Sequence, residues 1–408
     1  MVRKLAGDAP HAEIYCAPGN PGTAQHGINI PISAGDVSAL SRFAAAENIA
    51  LTVVGPEQPL AAGLADTFSG LGLPIFGPSA SAARLESSKA FSKQLMEECG
   101  VATAAFQVFD DPDAARAFAA GMEPPLVVKA SGLAGGKGAV VCADHREADE
   151  AIIDLMERAT LGEAGAEVVI EEFMLGEELS VFFITDGSEA AALAPARDHK
   201  RRMAGDLGPN TGGMGAYSPV LGADLALIDR IRREIAEPVL AGLADRGAPY
   251  RGFLYAGVML TPDGPKVVEF NCRLGDPEAQ VVLPLMEDGL LEPLLAVGRG
   301  GGLGGWQPTL PARSALTTVV VQGAYPGPVT TGLPIEFPAD LETAHLHVYH
   351  AGTALENGRL VTAGGRVFGV TGIADDLVTA AERSRAGAAQ IQFEQADWRP
   401  DIGHSEIR

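Results

Sequence analysis

"VVKASGLAGGKGAVV", residues 127–141, joins two apolar runs through a glycine-dense loop, with Lys129 at the end of the first run and Lys137 inside the loop. The spacing excludes two common nucleotide motifs. A P-loop needs four residues between Gly and Gly-Lys, followed by Ser or Thr, whereas Gly138 follows Lys137 here. A dinucleotide fingerprint needs G-x-G-x-x-G opening a helix, and here an apolar, strand-like run follows. A glycine loop between two antiparallel strands makes a flap instead. Its free N–H groups, those of Gly135, Gly136 and Gly138 among them, can fold over phosphate oxygens while Lys129 and Lys137 add charge. A flexible hairpin without a ligand reads from the same residues. Little core-forming bulk holds the loop, so it is expected to be among the most mobile parts of the free protein.

Three further stretches carry chemistry. In "VVEFNCRLGDPE" (267–278), strand alternation puts Glu269, Asn271 and Arg273 on one face, with Phe270 and Cys272 turned into the packing. A carboxylate and an amide oxygen suit a hard cation such as magnesium bridging phosphates, and an arginine beside them can hold a carboxylate or a transferring phosphoryl group. A solvated polar strand face is the alternative. In "VVIEEFMLGEELS" (168–180), a strand ending in Glu-Glu-Phe runs into a connector whose backbone can pair with an adenine edge, with Glu178 placed for ribose hydroxyls. The basic patch "RDHKRR" (197–202) and the following "GPNTGGMGAYSP" (208–219) read as one polar loop suited to an anionic substrate. A solvated basic loop fits the same residues.

The 408 residues allow two or three domains. The first ninety alternate short apolar runs with helical stretches, a small parallel α/β domain whose ligands sit at the carboxyl ends of the strands. That puts "APGNPGT" (17–23) and "GPEQPL" (55–60) at a crevice, although plain turn chemistry explains either alone. Residues 298–305, "GRGGGLGG", read as a linker, and the remainder as a small α+β domain with a helix near 377–392. A net charge of −22 excludes a general nucleic-acid surface. No apolar run is long enough for a membrane span, and no charged-then-apolar leader is read at the start. Four widely spaced cysteines read as reduced thiols of a cytoplasmic protein. His345, His347 and His350 read as a half-buried strand rather than a metal site.

These pieces, in this order, resemble the ATP-grasp superfamily and, within it, the phosphoribosylamine–glycine ligase (glycinamide ribonucleotide synthetase) family. "APGNPGT", "VVGPEQPL", "LESSKAFSK", "VIEEFMLGEELS", "DHKR", "GPNTGGMGAYSP" and "EFNCRLGDPE" carry the resemblance over nearly the whole chain. It implies α/β and α+β units: a Rossmann-like pre-ATP-grasp domain at 1–88, an ATP-grasp domain at 89–297 with a mobile lid at about 105–175, and a C-terminal α+β domain at 306–408. It implies that Lys89 and Lys129 contact phosphates, that Gly135, Gly136, Lys137 and Gly138 cover them, and that Glu171, Phe173 and Glu178 frame adenosine. Glu269 and Asn271 would hold Mg²⁺ or Mn²⁺, with Arg273 and Lys129 catalytic. Gly19, Asn20, Gly22, Thr23, Pro56, Glu57, Asp198, Lys200, Arg201, Asn210, Thr211, Gly212 and Gly213 would bind substrate. The implied reaction joins glycine to 5-phosphoribosylamine at the expense of ATP, in a monomer or weak homodimer needing no nucleic acid or membrane. The alternatives are a poorly active nucleotide-binding homologue and another purine-pathway ATP-grasp enzyme.

The family pattern opens with an apolar strand and a G-G-R-E-H-A loop, whereas "MVRKLAGDAPHAEIYCAPGN" starts inside the helix that follows them. On this reading apolar sides of the strands near "EIYCAP" and "LTVVGP" are expected to be exposed, and the ribose-phosphate pocket weakened.

Overall fold

The computed structural model describes residues 1–407. Short polar N-caps set most helix starts. Asp36, Ser79, Ser88, Asp111, Asp144, Asp224 and Asp376 each accept a backbone N–H from the first turn of the helix that follows. No described helix is long and apolar enough to cross a membrane.

Near the N-terminus the strands form two separate parallel pairs, Tyr15–Cys16 with Ile28–Asn29 and Thr52–Val53 with Ile75–Phe76. A single small parallel sheet was the expectation. The pairs are two residues deep, and the helix Val2–Asp8 packs in beside them. Its Met1 and Leu5 join Leu51 and Val53 against a core containing Phe76, Phe253 and Leu294. The Met1 amine is buried, and burial lowers its pKa to about 6.

Two four-stranded antiparallel sheets follow. The first runs Phe106–Phe109, Val168–Glu172, Leu126–Ala130, Ala139–Cys142, with helices Pro112–Gly121 and His145–Ile152 closing one face over Val128, Ile152 and Ile170. Strands Leu126–Ala130 and Ala139–Cys142 are antiparallel, so the glycine loop is a hairpin, as its apolar flanks require. The second sheet runs Ala190–Ala192, Glu177–Thr185, Gly252–Thr261, Gly264–Asn271. Its middle strands carry long apolar stretches, Val181–Ile184 and Phe253–Val258, where both faces are covered.

The third sheet departs from the sequence reading. Residues 197–218, read as one polar loop, hold four short strands. Arg197–Asp198 and Gly215–Ser218 pair into the sheet built by Ser314–Gln322, Arg366–Ala374 and Leu346–His350, to which Ala396–Trp398 adds. Arg201–Met203 and Leu207–Asn210 form a separate hairpin turning through Gly205 and Asp206 at positive φ. Leu207–Asn210 is exposed throughout, so no period-two alternation marked it. Arg197–Asp198 is too short to show one.

Helix Leu377–Ala388 lies so close on the third sheet that a Cβ at Gly372 would stand 2.1 Å from the Ala380 carbonyl oxygen. Gly372→Ala is therefore expected to lower the unfolding free energy by about 1–3 kcal/mol in denaturant titration. Gly121→Ala, with nothing within 4 Å of the new methyl group, is expected to stay within about 0.5 kcal/mol of the native chain. Equal losses at both positions would contradict the close packing.

Candidate active site

A cavity of about 1000 Å³ opens between the two antiparallel sheets, bounded by the glycine hairpin and by the 197–213 segment. Ser88 caps helix Lys89–Glu98 by accepting from Phe91 N, and Lys89 N donates to the Ser131 carbonyl at 2.8 Å. The helix start is thus tied to the base of the flap. Lys89 and Lys93, one turn apart, line the same cavity.

Glu171, 2% exposed, lies between two ammonium groups, Lys129 at 2.9 Å and Lys93 at 3.2 Å. Glu171 Oε1 accepts no aligned hydrogen bond, so the contact with Lys93 is one of charge. Lys93 also donates to Thr103 Oγ1 at 2.7 Å, and Lys129 to the Val268 carbonyl at 3.2 Å. Burial lowers Lys93 to about 8 despite Glu171. Burial likewise lowers Lys89, with Glu269 opposing. The Glu171 side chain is therefore engaged with lysines rather than free for adenosine. Phe173, just past the strand, is 37% exposed at the cavity edge.

Glu269 and Asn271 lie on the cavity side of Gly264–Asn271, while Phe270 and Cys272 are buried at 2% exposure. Arg273 falls beyond the strand, which ends at Asn271; it joins the face from the turn and not by alternation. There it pairs with Glu57 at 2.8 Å and Glu86 at 3.5 Å. Burial opposes ionisation of Glu269, but Lys200, Lys89, Lys129 and Arg273 outweigh it and hold the carboxyl below its ordinary value. Asn271 Nδ2 is best oriented toward Glu86 Oε1 at 2.9 Å, which turns Oδ1 the other way. Two hard oxygen donors, one ionised and half-buried, fit a divalent cation of the magnesium type.

Lys200 is paired with Glu178 and lies 3.9 Å from Asp198. Burial lowers its pKa, but the two carboxylates raise it well above the ordinary value, so it stays charged. Arg201 donates to the Gly208 carbonyl at 2.8 Å inside its own hairpin. Thr211 N and Oγ1 both donate to the Lys200 carbonyl, at 2.7 and 2.8 Å. Asn210 is exposed at the cavity, and Gly213, at φ +109°, lies where a Cβ would strike Pro277.

Not every expected residue reaches this cavity. Gly135, Gly136 and Gly138 line it, whereas Lys137 is exposed and does not. Pro56 and Glu57 line it, but Asn20, Gly22 and Thr23 line a neighbouring cavity of about 700 Å³. Asn20 Oδ1 accepts from Gly22 N and Thr23 N, and its Nδ2 donates to the His350 carbonyl at 2.9 Å. Gly19 makes this turn at φ +73°, where a Cβ would clash with Asn29. The two cavities share Gly55 and the turn Leu274–Asp276.

Sequence reasoning missed Lys93, Glu86, Tyr325 and Arg366. Lys93, four residues after Lys89, and Glu86, three before it, could have been found by helical spacing. Tyr325 and Arg366 could not. The Tyr325 hydroxyl accepts from Gly212 N at 2.8 Å, and Arg366 donates to the Gly212 carbonyl at 2.6 Å while pairing with Asp276 at 2.8 Å.

A cavity held between two antiparallel sheets under a glycine hairpin places the chain in the ATP-grasp class of folds. Sequence comparison narrows the class. Residues 87–279 match the ATP-grasp (A) domain of phosphoribosylglycinamide synthetase, 1–86 its N domain and 315–405 its C domain. The chain belongs to the phosphoribosylamine–glycine ligase family, also called phosphoribosylglycinamide synthetase. It is 46% identical to the phosphoribosylamine–glycine ligase of Ralstonia nicotianae, covering 100% of this chain and 96% of that one. It is 47% identical to the trifunctional purine biosynthetic protein adenosine-3 of Gallus gallus over 100% of this chain; it spans 41% of that protein's length. The crystal structure of phosphoribosylamine–glycine ligase from Thermotoga maritima superposes with a TM-score of 0.83 at 32% identity, covering 98% of this chain and 96% of that one.

The site makes a pH prediction. Burial raises Glu86 from its ordinary 4.5 to about 7, against the pull of Arg273 and the Cys272 N–H. Its stabilising contribution is complete below the unfolded value and is lost as pH rises through about 7. In Glu86→Gln this loss disappears. The variant should therefore gain on the native chain between about pH 5 and about pH 8, by on the order of a few kcal/mol in denaturant titration. Parallel pH profiles would contradict the assignment.

Proposed function

We propose that this chain joins glycine to 5-phosphoribosylamine, with ATP becoming ADP and phosphate, in purine biosynthesis. The observation that carries the reading is Glu269: a half-buried carboxylate held ionised by Lys89, Lys129, Lys200 and Arg273, in a cavity roofed by a glycine hairpin. That arrangement favours a polyphosphate that arrives with a divalent cation. Glu269 and Asn271 would hold the cation, magnesium or manganese, and its charge neutralises phosphate oxygens.

Lys89 and Lys129 bind phosphates. The flap residues Gly135, Gly136 and Gly138 close over them with backbone N–H groups, and closure brings Lys137 toward the same phosphates. The connector after Glu171 takes the adenine edge, with Phe173 against the ring and Glu178 near the ribose. A glycine carboxylate oxygen attacks the γ-phosphorus, ADP leaves, and a glycyl phosphate forms. The amine of phosphoribosylamine then attacks the acyl carbon, a proton is lost from nitrogen, and phosphate leaves. Because the substrates supply both nucleophile and electrophile, the chain needs no nucleophile of its own. Arg273 and Lys129 act by charge and positioning as the transferring phosphoryl group passes. Asp198, Lys200, Arg201 and residues 210–213 hold glycine and the acyl phosphate. Gly19, Asn20, Gly22, Thr23, Pro56 and Glu57 hold phosphoribosylamine where the two cavities meet. On this reading the chain works as a monomer or weak homodimer on small molecules alone.

ADP release measured by a coupled assay should require glycine and phosphoribosylamine together. Glu269→Ala should lower turnover by roughly two orders of magnitude or more. Release without either substrate, or near-native turnover in that variant at ordinary magnesium, would refute the reading. Hydrogen exchange across 132–138 should slow when ATP is added, and equal protection with and without nucleotide would leave the flap unsupported.

A further inference from the structure

Residues 397–406 grip the 197–213 segment beside the cavity, which His199, Asp206, His404 and Ser405 also line. Arg399, 1% exposed, is the centre of the grip. Its Nε and Nη2 donate to the two carboxylate oxygens of Asp401 at 2.6 and 3.1 Å. Its Nη1 pairs with Asp206 Oδ1 at 2.7 Å and donates to the Arg201 carbonyl at 3.1 Å. Asp401 Oδ2 in turn accepts from Gly205 N at 2.8 Å, and Arg202 pairs with Asp397 at 2.6 Å. Both ends of the hairpin turn, Gly205 and Asp206, are thus fixed from outside it.

The grip extends to the strand that carries the substrate residues. Gly403 N donates to His199 Nε2 at 3.0 Å, which puts the imidazole proton on Nδ1, facing Asp206 Oδ1 at 3.6 Å. His199, Asp206 and His404 are close enough together for a metal cluster. Their donor atoms are already engaged, however: His199 Nε2 by a backbone N–H, its Nδ1 by a proton, and Asp206 by Arg399. With His199 held on one side, its neighbours Asp198 and Lys200 line the cavity, and His404 and Ser405 of the gripping segment line its rim. Glu406 accepts from Tyr217 Oη and Leu221 N, both at 3.0 Å, and lies 3.6 Å from Arg197.

We propose that Arg399 is a positioning residue for the acceptor half of the reaction. By clamping Gly205, Asp206 and the Arg201 carbonyl, it holds the 197–213 segment where Asp198 and Lys200 meet the non-nucleotide substrates. This rests on the assignment of those two residues to substrate. An arginine fork meets one carboxylate with two parallel bonds and reaches another with its remaining N–H groups, which a lysine cannot reproduce. Small misplacements of a positioned segment cost rate.

The test compares the native chain with Arg399→Lys, Arg399→Gln and Asp206→Asn, reading steady-state kinetics and amide hydrogen exchange. The Arg399 variants should raise KM for glycine by roughly tenfold or more and KM for ATP by a clearly smaller factor, since the segment reaches the nucleotide side only through the pairing of Lys200 with Glu178 and its charge on Glu269. Exchange should quicken at 199–212, with protection elsewhere unchanged. If Arg399→Gln does not fold, Arg399→Lys and Asp206→Asn carry the same expectation. Unchanged kinetics and exchange, or losses for ATP and glycine in equal measure with exchange rising along the whole chain, would overturn the proposal. The exchange arm needs no activity: faster exchange at 199–212 in a chain with no ligase activity would leave the clamp standing and sink the proposed reaction.

Discussion

The site depends on keeping Glu269 ionised where it is half-buried on the cavity wall. A buried carboxylate is costly unless cations and hydrogen bonds compensate it, and removing a partner leaves an uncompensated charge behind. Here the compensation comes from separate parts of the chain. Lys89 begins a capped helix, Lys129 ends a flap strand, Lys200 lies on the segment pinned by the C-terminal residues, and Arg273 follows the strand of Glu269 itself. Each must be brought to the same cavity wall, so the charge network and the relative placement of the two antiparallel sheets are one constraint. Glu171 repeats the device at the flap base by sharing its carboxylate between Lys93 and Lys129. The lysines and arginines that line the cavity are matched by carboxylates lining it as well, so their charge is compensated before any ligand arrives.

The sheet containing Arg197–Asp198 and Gly215–Ser218 explains how the last third of the chain takes part. These strands pair, directly or through one another, with Ser314–Gln322, so a residue such as Arg366 on the neighbouring strand can reach Gly212 and Asp276. The 197–213 segment is therefore not a free loop on the cavity wall. It is bounded by backbone ladders and by buried arginine contacts, which sets its geometry before substrate binds.

Much of this was legible in the sequence where local rules govern. The glycine hairpin follows from two apolar runs with glycines between them, and Glu269 and Asn271 from strand alternation. Lys93 and Glu86 obeyed a local rule as well, the helical repeat around Lys89, and needed only to be read. Alternation failed at Arg273, which lies one turn past the strand end, and at Leu207–Asn210, whose exposure on both faces leaves no pattern. Tyr325, Arg366 and Arg399 act on residues more than a hundred positions away, and no periodicity encodes such a contact. The lysine partners of the Glu171 side chain were not legible for a related reason, since they come from a helix and a strand distant in sequence.

No side chain of the chain is asked to carry the phosphoryl group; the account has the substrate's own carboxylate do so. Glycine labelled with ¹⁸O in both carboxylate oxygens tests this directly, with the inorganic phosphate analysed by mass spectrometry. Transfer through a glycyl phosphate predicts one labelled oxygen in each phosphate released with product. Unlabelled phosphate, with one heavy oxygen in the product amide and the other lost to water, would contradict it.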